Sequence, residues 1–223
     1  MRVAALYDIH GNLPALEAVL DDVERAEVDV IVCGGDVAAG PMPGECVARL
    51  RDAGARFVRG NADREQSAWL RAQLSDDERA FLAALPTTVV LADACFCHGT
   101  PRSDEEIVTR LTPDHVLAEI LADVDQPLVV GGHVHVQYDR RCGRHRVVNA
   151  GSVGMPYEGI RGAFWALVAD DVDLRRTEYD IEAAVARIRA TGYPDREELA
   201  GWLLDPPDPG EVSAYFEGQA RGA

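Results

Sequence analysis

The sequence lacks the features that direct a chain to a membrane, to export or to nucleic acid. No stretch approaches the 18 or more consecutive apolar residues that a membrane span needs. The opening residues, MRVAALYDIHGN, hold five apolar residues in a row before Asp8 and His10, so we expect no signal peptide. The 22 basic residues are outnumbered by 38 acidic ones, and a net charge of −16 argues against extended nucleic acid as a partner. A small phosphate ester remains acceptable, because a bound metal reverses the local field.

Cysteine is also scarce, and its spacing fits no disulfide framework. The odd number of five and the lack of an export signal favour reduced thiols and a cytoplasmic location. Cys95 and Cys97 precede a histidine and could form a thiolate site. Their C-x-C spacing lacks the usual zinc-knuckle form, which favours buried strand residues instead. The cysteines are Cys33, Cys46, Cys95, Cys97 and Cys142.

The first part of the chain alternates apolar strands with amphipathic helices. Residues 2–8, 29–36 and 55–61 are predicted as strands, and residues 14–26 and 43–54 as helices. This alternation is typical of βαβ units and a parallel sheet.

The remainder changes character, because strands there follow one another as hairpins and predict antiparallel pairing. The fold class is therefore α/β (α+β), and we expect residues 1–223 to form one domain with a C-terminal helical tail from about residue 181 to 223. The predicted elements are two helices within 64–85 separated at the SDDE capping box, a hairpin over 87–99, a helix over 112–124 capped by Thr112, a strand over 127–132, hairpins over 137–154 and 162–180, and a helix over 181–192 followed by a tail broken at 205–210.

Polar residues stand where five of the predicted strands end. Each alone would be an ordinary turn or capping residue, but the carboxyl ends of strands meet at the ligand-binding edge of an open α/β sheet. The seven suit divalent transition ions and are too many for one tetrahedral zinc. With one bridging aspartate they supply eight bonds to two ions, which in phosphoesterases lie about 3.5–4 Å apart. They are Asp8, His10, Asp36, Asn61, His98, His133 and His135.

The stretch VVGGHVHV, residues 129–136, places two imidazoles after a very apolar run. If the strand continues, His133 and His135 emerge side by side on one face. Alternatively the Gly131-Gly132 pair ends the strand, and both histidines lie in the loop beyond it.

The same residues resemble a known family. The blocks are similar, in the same order, to the five signature blocks of the calcineurin-like metallophosphoesterases, and NAGSVGMP (149–156) resembles a turn of the compact YfcE-like branch. The resemblance covers about two thirds of the chain and leaves out residues beyond about 185. The blocks are Asp8-Ile-His10-Gly-Asn12, Gly35-Asp36, Gly60-Asn61-Ala-Asp63, His98-Gly99 and Gly132-His133-Val-His135.

The resemblance implies a four-layer α-β-β-α sandwich of two mixed sheets with two divalent ions at one edge. It assigns Asp8, His10 and His135 to one ion, Asn61, His98 and His133 to the other, and Asp36 as the bridge. Manganese is the expected metal, with iron, zinc, nickel, cobalt or magnesium as alternatives. Asp36, Asn61, His133 and Asn12 are the predicted catalytic residues.

The implied activity is hydrolysis of a phosphodiester, nucleotide-like substrates included, by a metal-activated hydroxide. A phosphomonoesterase or a nucleotide pyrophosphatase is the alternative enzyme. A non-catalytic scaffold of the same fold, such as a retromer subunit, is the alternative of another class. The oligomeric state is left open, a homo-oligomer included.

Several further positions carry two interpretations. Ala62 stands where related phosphatases carry a histidine that assists the leaving group, and Asp63 could support the site or be purely structural. Asn12 could orient the attacking hydroxide or cap the following helix. Asn149 and Ser152 lie in a turn whose backbone N–H groups could approach the phosphate, or in a plain hairpin turn. Tyr157, Glu158 and Arg161 could contact the organic part of a substrate.

Overall fold

The structure is a computed structural model that describes residues 1–64 and 67–222. Residues 65 and 66, within the predicted helical stretch 64–85, and residue 223 lie outside the described residues. The strands are β1 (Val3–Leu6), β2 (Val30–Cys33), β3 (Arg56–Phe57), β4 (Thr88–Leu91), β5 (Ala94–Cys97), β6 (Leu128–Gly131), β7 (Tyr138–Cys142), β8 (His145–Asn149), β9 (Ala163–Val168) and β10 (Val172–Thr177). The helices are α1 (Leu13–Arg25), α2 (Pro43–Asp52), α3 (Asn61–Arg64), α4 (Ala68–Gln73), α5 (Asp76–Ala83), α6 (Asp114–Ile120), α7 (Ile181–Arg189), α8 (Arg196–Leu204) and α9 (Pro209–Gly222).

The strands form two mixed five-stranded sheets. In the first, with the order β10-β9-β1-β2-β3, β1 pairs in parallel with β2 and antiparallel with β9. In the second, with the order β4-β5-β6-β8-β7, β6 lies parallel to both neighbours while β4 and β7 pair antiparallel at the edges. The prediction of early parallel strands followed by hairpins is therefore confirmed.

Alternation along β1 shows how the layers form. Val3 and Ala5 point between the sheets and pack in one cluster with Phe96 of β5, whereas Ala4 and Leu6 pack beneath the helices. Helices α1, α2, α7 and α8 contribute to the cluster on the outer face of the first sheet. Helix α6 covers the outer face of the second. The result is the predicted four-layer α-β-β-α sandwich.

The cysteines of β5 belong to this packing. Cys95 and Cys97 lie on the face of β5 that packs against α6, and burial raises the pKa of the Cys97 thiol well above its ordinary range. All five cysteines are free and buried. The interpretation of Cys95 and Cys97 as buried strand residues is confirmed.

The observed helix starts match the predicted ones where the capping residue bonds to its own helix, and differ where that residue bonds to a distant part of the chain. The capping box is present, with the Ser75 hydroxyl accepting from the Glu78 N–H and the Glu78 carboxylate accepting from the Ser75 N–H. The prediction that Thr112 caps α6 was wrong, because its hydroxyl donates to Glu217 of α9 at 2.8 Å and the helix begins at Asp114.

In the part of the chain that the structure describes, no helix combines the length and apolar character that crossing a membrane requires.

Candidate metal centre

The predicted ligands gather at one edge of the sandwich, where β1, β2, β3, β5 and β6 end. The backbone there is strained. Of the seven non-glycine residues with positive φ among those described, five are predicted ligands. Such conformations cost of order 1–3 kcal/mol each and cluster at functional sites. The five are Asp8, His10, Asp36, His133 and His135, with φ between 46° and 71°.

Hydrogen bonds between loops hold this backbone in place. The Asp8 N–H donates to the Gly35 carbonyl at 3.1 Å, and the His10 N–H donates to the Asp36 carbonyl at 2.9 Å. Across the two sheets, the His133 N–H donates to the Asp8 carboxylate at 2.8 Å. The strand β6 ends at Gly131, so the loop interpretation of VVGGHVHV is the correct one.

Asp8, His10 and His135 form one cluster. His10 Nε2 lies 3.2 Å from His135 Nε2, and Asp8 Oδ1 lies 3.3 Å from His135 Nε2. The other ring nitrogens face carbonyl oxygens, with His10 Nδ1 at 3.1 Å from Ala39 O and His135 Nδ1 at 2.7 Å from Met155 O. Carbonyl oxygens only accept, so each Nδ1 carries the hydrogen.

The tautomers leave a cluster of acceptors. When both imidazoles are neutral, each Nε2 is a lone pair, and the two lone pairs face each other beside a carboxylate. Asp8 Oδ1 is buried without a hydrogen-bond partner and also lies within 3.9 Å of His98 Nε2. Buried acceptors that converge without a donor are costly unless a cation lies among them.

Asp36, His98 and Asn61 form the second cluster. His98 Nδ1 donates to the Gly34 carbonyl at 3.0 Å, and its Nε2 lies 3.1 Å from Asn61 Oδ1 and 3.5 Å from Asp36 Oδ2. Asp36 Oδ2 also lies 3.8 Å from His10 Nε2. One oxygen of Asp36 therefore lies between the two clusters, as its predicted bridging role requires.

The buried carboxylates of Asp8 and Asp36 require a positive charge nearby. Burial lowers the pKa of His98, but the carboxylates of Asp36 and Asp8 outweigh burial and raise it to about 10. Burial raises the pKa of Asp36, yet the charge and hydrogen bond of His98 hold it well below its usual range. A divalent ion at His98 Nε2 would supply positive charge in place of the imidazole proton, so the donor set fits divalent cations.

His133 lies at the open side of the site. Its ring centroid is 5.0 Å from that of His98, whereas the ring of His135 is 4.9 Å from that of His10. The two histidines thus lie beside different clusters. His133 Nε2 donates to the Glu105 carbonyl at 3.2 Å, which leaves Nδ1 as its available lone pair. Its assignment as a ligand stays a prediction.

The side chain of Asn12 makes hydrogen bonds within the fold. Its Oδ1 accepts from the Ala15 N–H and caps α1, and its Nδ2 donates to the Gly154 carbonyl at 2.9 Å. These contacts correspond to the capping interpretation. The catalytic role predicted for Asn12 stays a prediction.

The turn after β8 packs against the backbone of the loop that carries Asp8. The prediction that its N–H groups approach a phosphate conflicts with their hydrogen bonds, since the Val153 and Gly154 N–H groups donate to the carbonyls of Tyr7 and Asp8. Ser152 Oγ also donates to the Asp8 carbonyl at 2.8 Å. Gly154 packs so closely that a Cβ would lie 1.7 Å from Ile9 O. The Asn149 amide likewise donates within the fold, to the Gly132 carbonyl.

Asp63 holds the loop that carries Asp36. Its carboxylate accepts from the backbone N–H groups of Asp36, Val37 and Gly60 at 2.9, 3.0 and 3.0 Å. Asp63 is 1% exposed, so these contacts are buried. Of its two interpretations, support of the site is the one that the contacts favour.

The residues after the turn connect the centre to the C-terminal helices. The Tyr157 ring stacks on His135 with centroids 4.9 Å apart and meets Trp202 of α8 edge-on at 5.7 Å. Glu158 accepts from the Gln137 N–H, and Arg161 donates to the Leu204 carbonyl. Glu158 and Arg161 therefore have structural contacts.

The carbonyls of Ala39 and Met155, which fix the imidazole tautomers, were missed by the sequence analysis, because a backbone group leaves no signal in the sequence.

Comparisons with known proteins agree with this geometry. The model of the calcineurin-like phosphoesterase superfamily domain matches residues 1–171. A metallophosphoesterase structure from Sphaerobacter thermophilus is 30% identical and has a TM-score of 0.80 over 92% of this chain and 99% of its own. An uncharacterized protein of Methanocaldococcus jannaschii is 27% identical over 86% of this chain and 94% of its own length. The phosphoesterase Yfce from E. coli, 24% identical with a TM-score of 0.54 over 79% of this chain and 93% of its own, shares the fold.

Proposed function

The chain belongs to the calcineurin-like phosphoesterase superfamily, and from this we propose that it is a dinuclear metal-dependent phosphodiesterase acting on a small or nucleotide-like ester. The observation that carries the proposal is the pair of facing Nε2 lone pairs of His10 and His135, 3.2 Å apart beside the unpartnered Asp8 Oδ1. A cation among these acceptors would satisfy them, and a second group of acceptors, Asn61 Oδ1 and Asp36 Oδ2, faces His98 Nε2. A cytoplasmic location remains part of the proposal.

The proposed ligands follow the two clusters. Asp8, His10 and His135 would hold one ion, Asn61, His98 and His133 the other, and Asp36 both. When bound, two dications supply a nucleophile near neutral pH and offset the charge of the phosphate. Mixed imidazole and carboxylate ligands suit manganese as well as iron, zinc, nickel, cobalt or magnesium.

The protein's own contribution is orientation. The carbonyls of Ala39, Met155 and Gly34 accept from Nδ1 of three imidazoles and so orient each Nε2 into the site, where it is the lone pair available to a metal ion once the ring is neutral. Five of the seven proposed ligands, Asp8, His10, Asp36, His98 and His135, are buried, which keeps bulk water from screening their charges.

The absence of a side-chain acid at position 62 sets the proposed substrate preference. Ala62 contributes only its backbone N–H, which donates to Asp36 Oδ1 at 2.8 Å. Without a general acid, typically worth about 10²–10⁴-fold, the leaving group departs with its negative charge. We expect faster hydrolysis of p-nitrophenyl phosphodiesters than of alkyl phosphodiesters, compared as kcat/KM at one pH and one metal concentration. Equal rates would show that another residue protonates the leaving group.

Metal content and a substrate screen together test the function. The protein is stripped with a chelator, reloaded separately with Mn²⁺, Fe²⁺, Zn²⁺, Ni²⁺, Co²⁺ or Mg²⁺, and assayed on phosphodiesters, phosphomonoesters and nucleotide pyrophosphates. We expect two ions per chain and the highest activity on diesters. Preferential cleavage of monoesters or pyrophosphates would favour the alternative enzyme. Absence of bound ions after Mn²⁺ addition would favour the non-catalytic scaffold.

A further inference from the structure

A cavity of about 350 Å³ is lined in part by Ala39, whose carbonyl contacts the imidazole of His10. Its volume is within the range of pockets that bind small organic molecules. One wall comes from the loop after β2, a second from α4, and a third from the connection between α7 and α8. The lining residues are Ala39, Gly40, Ser67, Trp69, Leu70, Tyr193, Pro194 and Asp195.

The cavity and the metal centre share the wall formed by Ala39 and Gly40. The Ala39 carbonyl accepts from His10 Nδ1 at 3.1 Å, so this cavity residue directly contacts a proposed ligand. Gly40 packs so tightly on the His10 backbone that a Cβ would lie 1.7 Å from His10 O. The cavity thus lies on the Nδ1 side of the His10 imidazole, opposite the Nε2 that faces Asp36 and His135, and a molecule held by its phosphate at the centre would have to extend past this ring for its organic part to enter.

Aromatic side chains dominate the opposite walls. The rings of Trp69 and Tyr193 have centroids 5.2 Å apart and an interplanar angle of 61°, and both side chains are half-buried. Asp195 precedes α8, but its side chain does not cap the helix. Asp195 is exposed, and its carboxylate interacts with the Tyr193 hydroxyl. Its negative charge at the rim of the cavity disfavours a second phosphate and favours a neutral planar group with N–H or O–H donors. Tyr193, Pro194 and Asp195 lie beyond residue 171, where the match to the family model ends.

We propose that this cavity binds the nucleobase of a nucleotide-like ester whose phosphate lies at the metal centre. The proposal rests on the function proposed above and specifies its substrate class. The C-terminal helices would then determine specificity, because they supply one wall of the cavity. Stacking of a base on an aromatic side chain typically strengthens binding by about 5- to 150-fold.

Two ligands with the same phosphate provide the test. AMP and ribose 5-phosphate differ only in the base, and their Kd values for the Mn²⁺-loaded protein are measured by calorimetry. We expect AMP to bind about tenfold more tightly than ribose 5-phosphate, and Trp69→Leu to remove most of that preference. Tyr193→Leu is the second variant, and circular dichroism verifies that both are folded. Tyr215→Leu, at a tyrosine 64% exposed on α9, is the matched control and should retain the preference.

The outcomes separate this proposal from the proposed function. Equal affinities in the wild type, no binding of either ligand, or a preference that persists in both folded variants would overturn the nucleobase site. A base preference without hydrolysis of any ester would instead contradict the phosphodiesterase and leave the cavity's role intact. Hydrolysis of esters without a base preference would contradict the nucleobase site and leave the proposed phosphodiesterase activity intact.

Discussion

Replacement of Asp36 by asparagine is expected to lower kcat/KM for phosphodiesters by more than about 100-fold, because even groups behind metal ligands cost about 10–100-fold when removed. The substitution keeps the shape of the side chain but removes the negative charge of an oxygen that lies 3.5 Å from His98 Nε2 and 3.8 Å from His10 Nε2. Metal content should fall together with activity, because the same oxygen serves both clusters. Steady-state kinetics and mass spectrometry of bound ions measure the two effects.

Asp123→Asn is the matched control for this variant. Asp123 is exposed, so the same chemical change should leave both measurements near the wild-type values. An Asp36→Asn protein that binds two ions and retains more than a tenth of the wild-type kcat/KM would show that Asp36 does not bridge.

Replacement of Asp63 by alanine is expected to lower the free energy of unfolding by at least about 3 kcal/mol. The variant leaves three buried backbone N–H groups unsatisfied, and each costs about 1–3 kcal/mol. Those N–H groups belong to Asp36, Val37 and Gly60, so the loop that carries Asp36 should loosen and weaken metal binding as well. Urea unfolding of the metal-free protein measures the stability term alone.

Asp63→Asn and Asp21→Ala complete that experiment. The asparagine keeps one acceptor oxygen and should lose less stability than the alanine variant. Asp21 is exposed on α1, and its replacement should change the free energy of unfolding by less than about 0.5 kcal/mol. If Asp63→Ala were as stable as Asp21→Ala, the hydrogen bonds to the loop would contribute little to folding.

The layers of the fold were predictable because they depend on local patterns. Hairpins form about Asp93, Gly143 and Asp171, where turn residues interrupt apolar runs, and the strands alternate as their sequences indicate. The boundary of α6 could not be predicted, because Glu217 lies 105 residues away from Thr112. Contacts that distant compete with a local cap without leaving a pattern near it.

The ligand cluster was predictable for a different reason. Polar residues at the ends of five strands must meet once the strands form sheets, so their convergence follows from topology. The positions of these residues in the sequence do not reveal which hydrogen bonds the neighbouring side chains and N–H groups form. Nothing in the sequence distinguishes the capping Asn12 from a catalytic amide, or a turn whose N–H groups face Tyr7 and Asp8 from one whose N–H groups face a phosphate.

The ring of Trp202 touches Tyr157, and Tyr157 in turn covers His135. An imidazole of the candidate metal centre therefore packs against a segment beyond residue 171, where the match to the superfamily model ends. Exchanging that segment between homologous chains would not be a neutral graft. A chimera built at residue 171 would keep the proposed ligands but lose the contact between Trp202 and Tyr157 next to one of them.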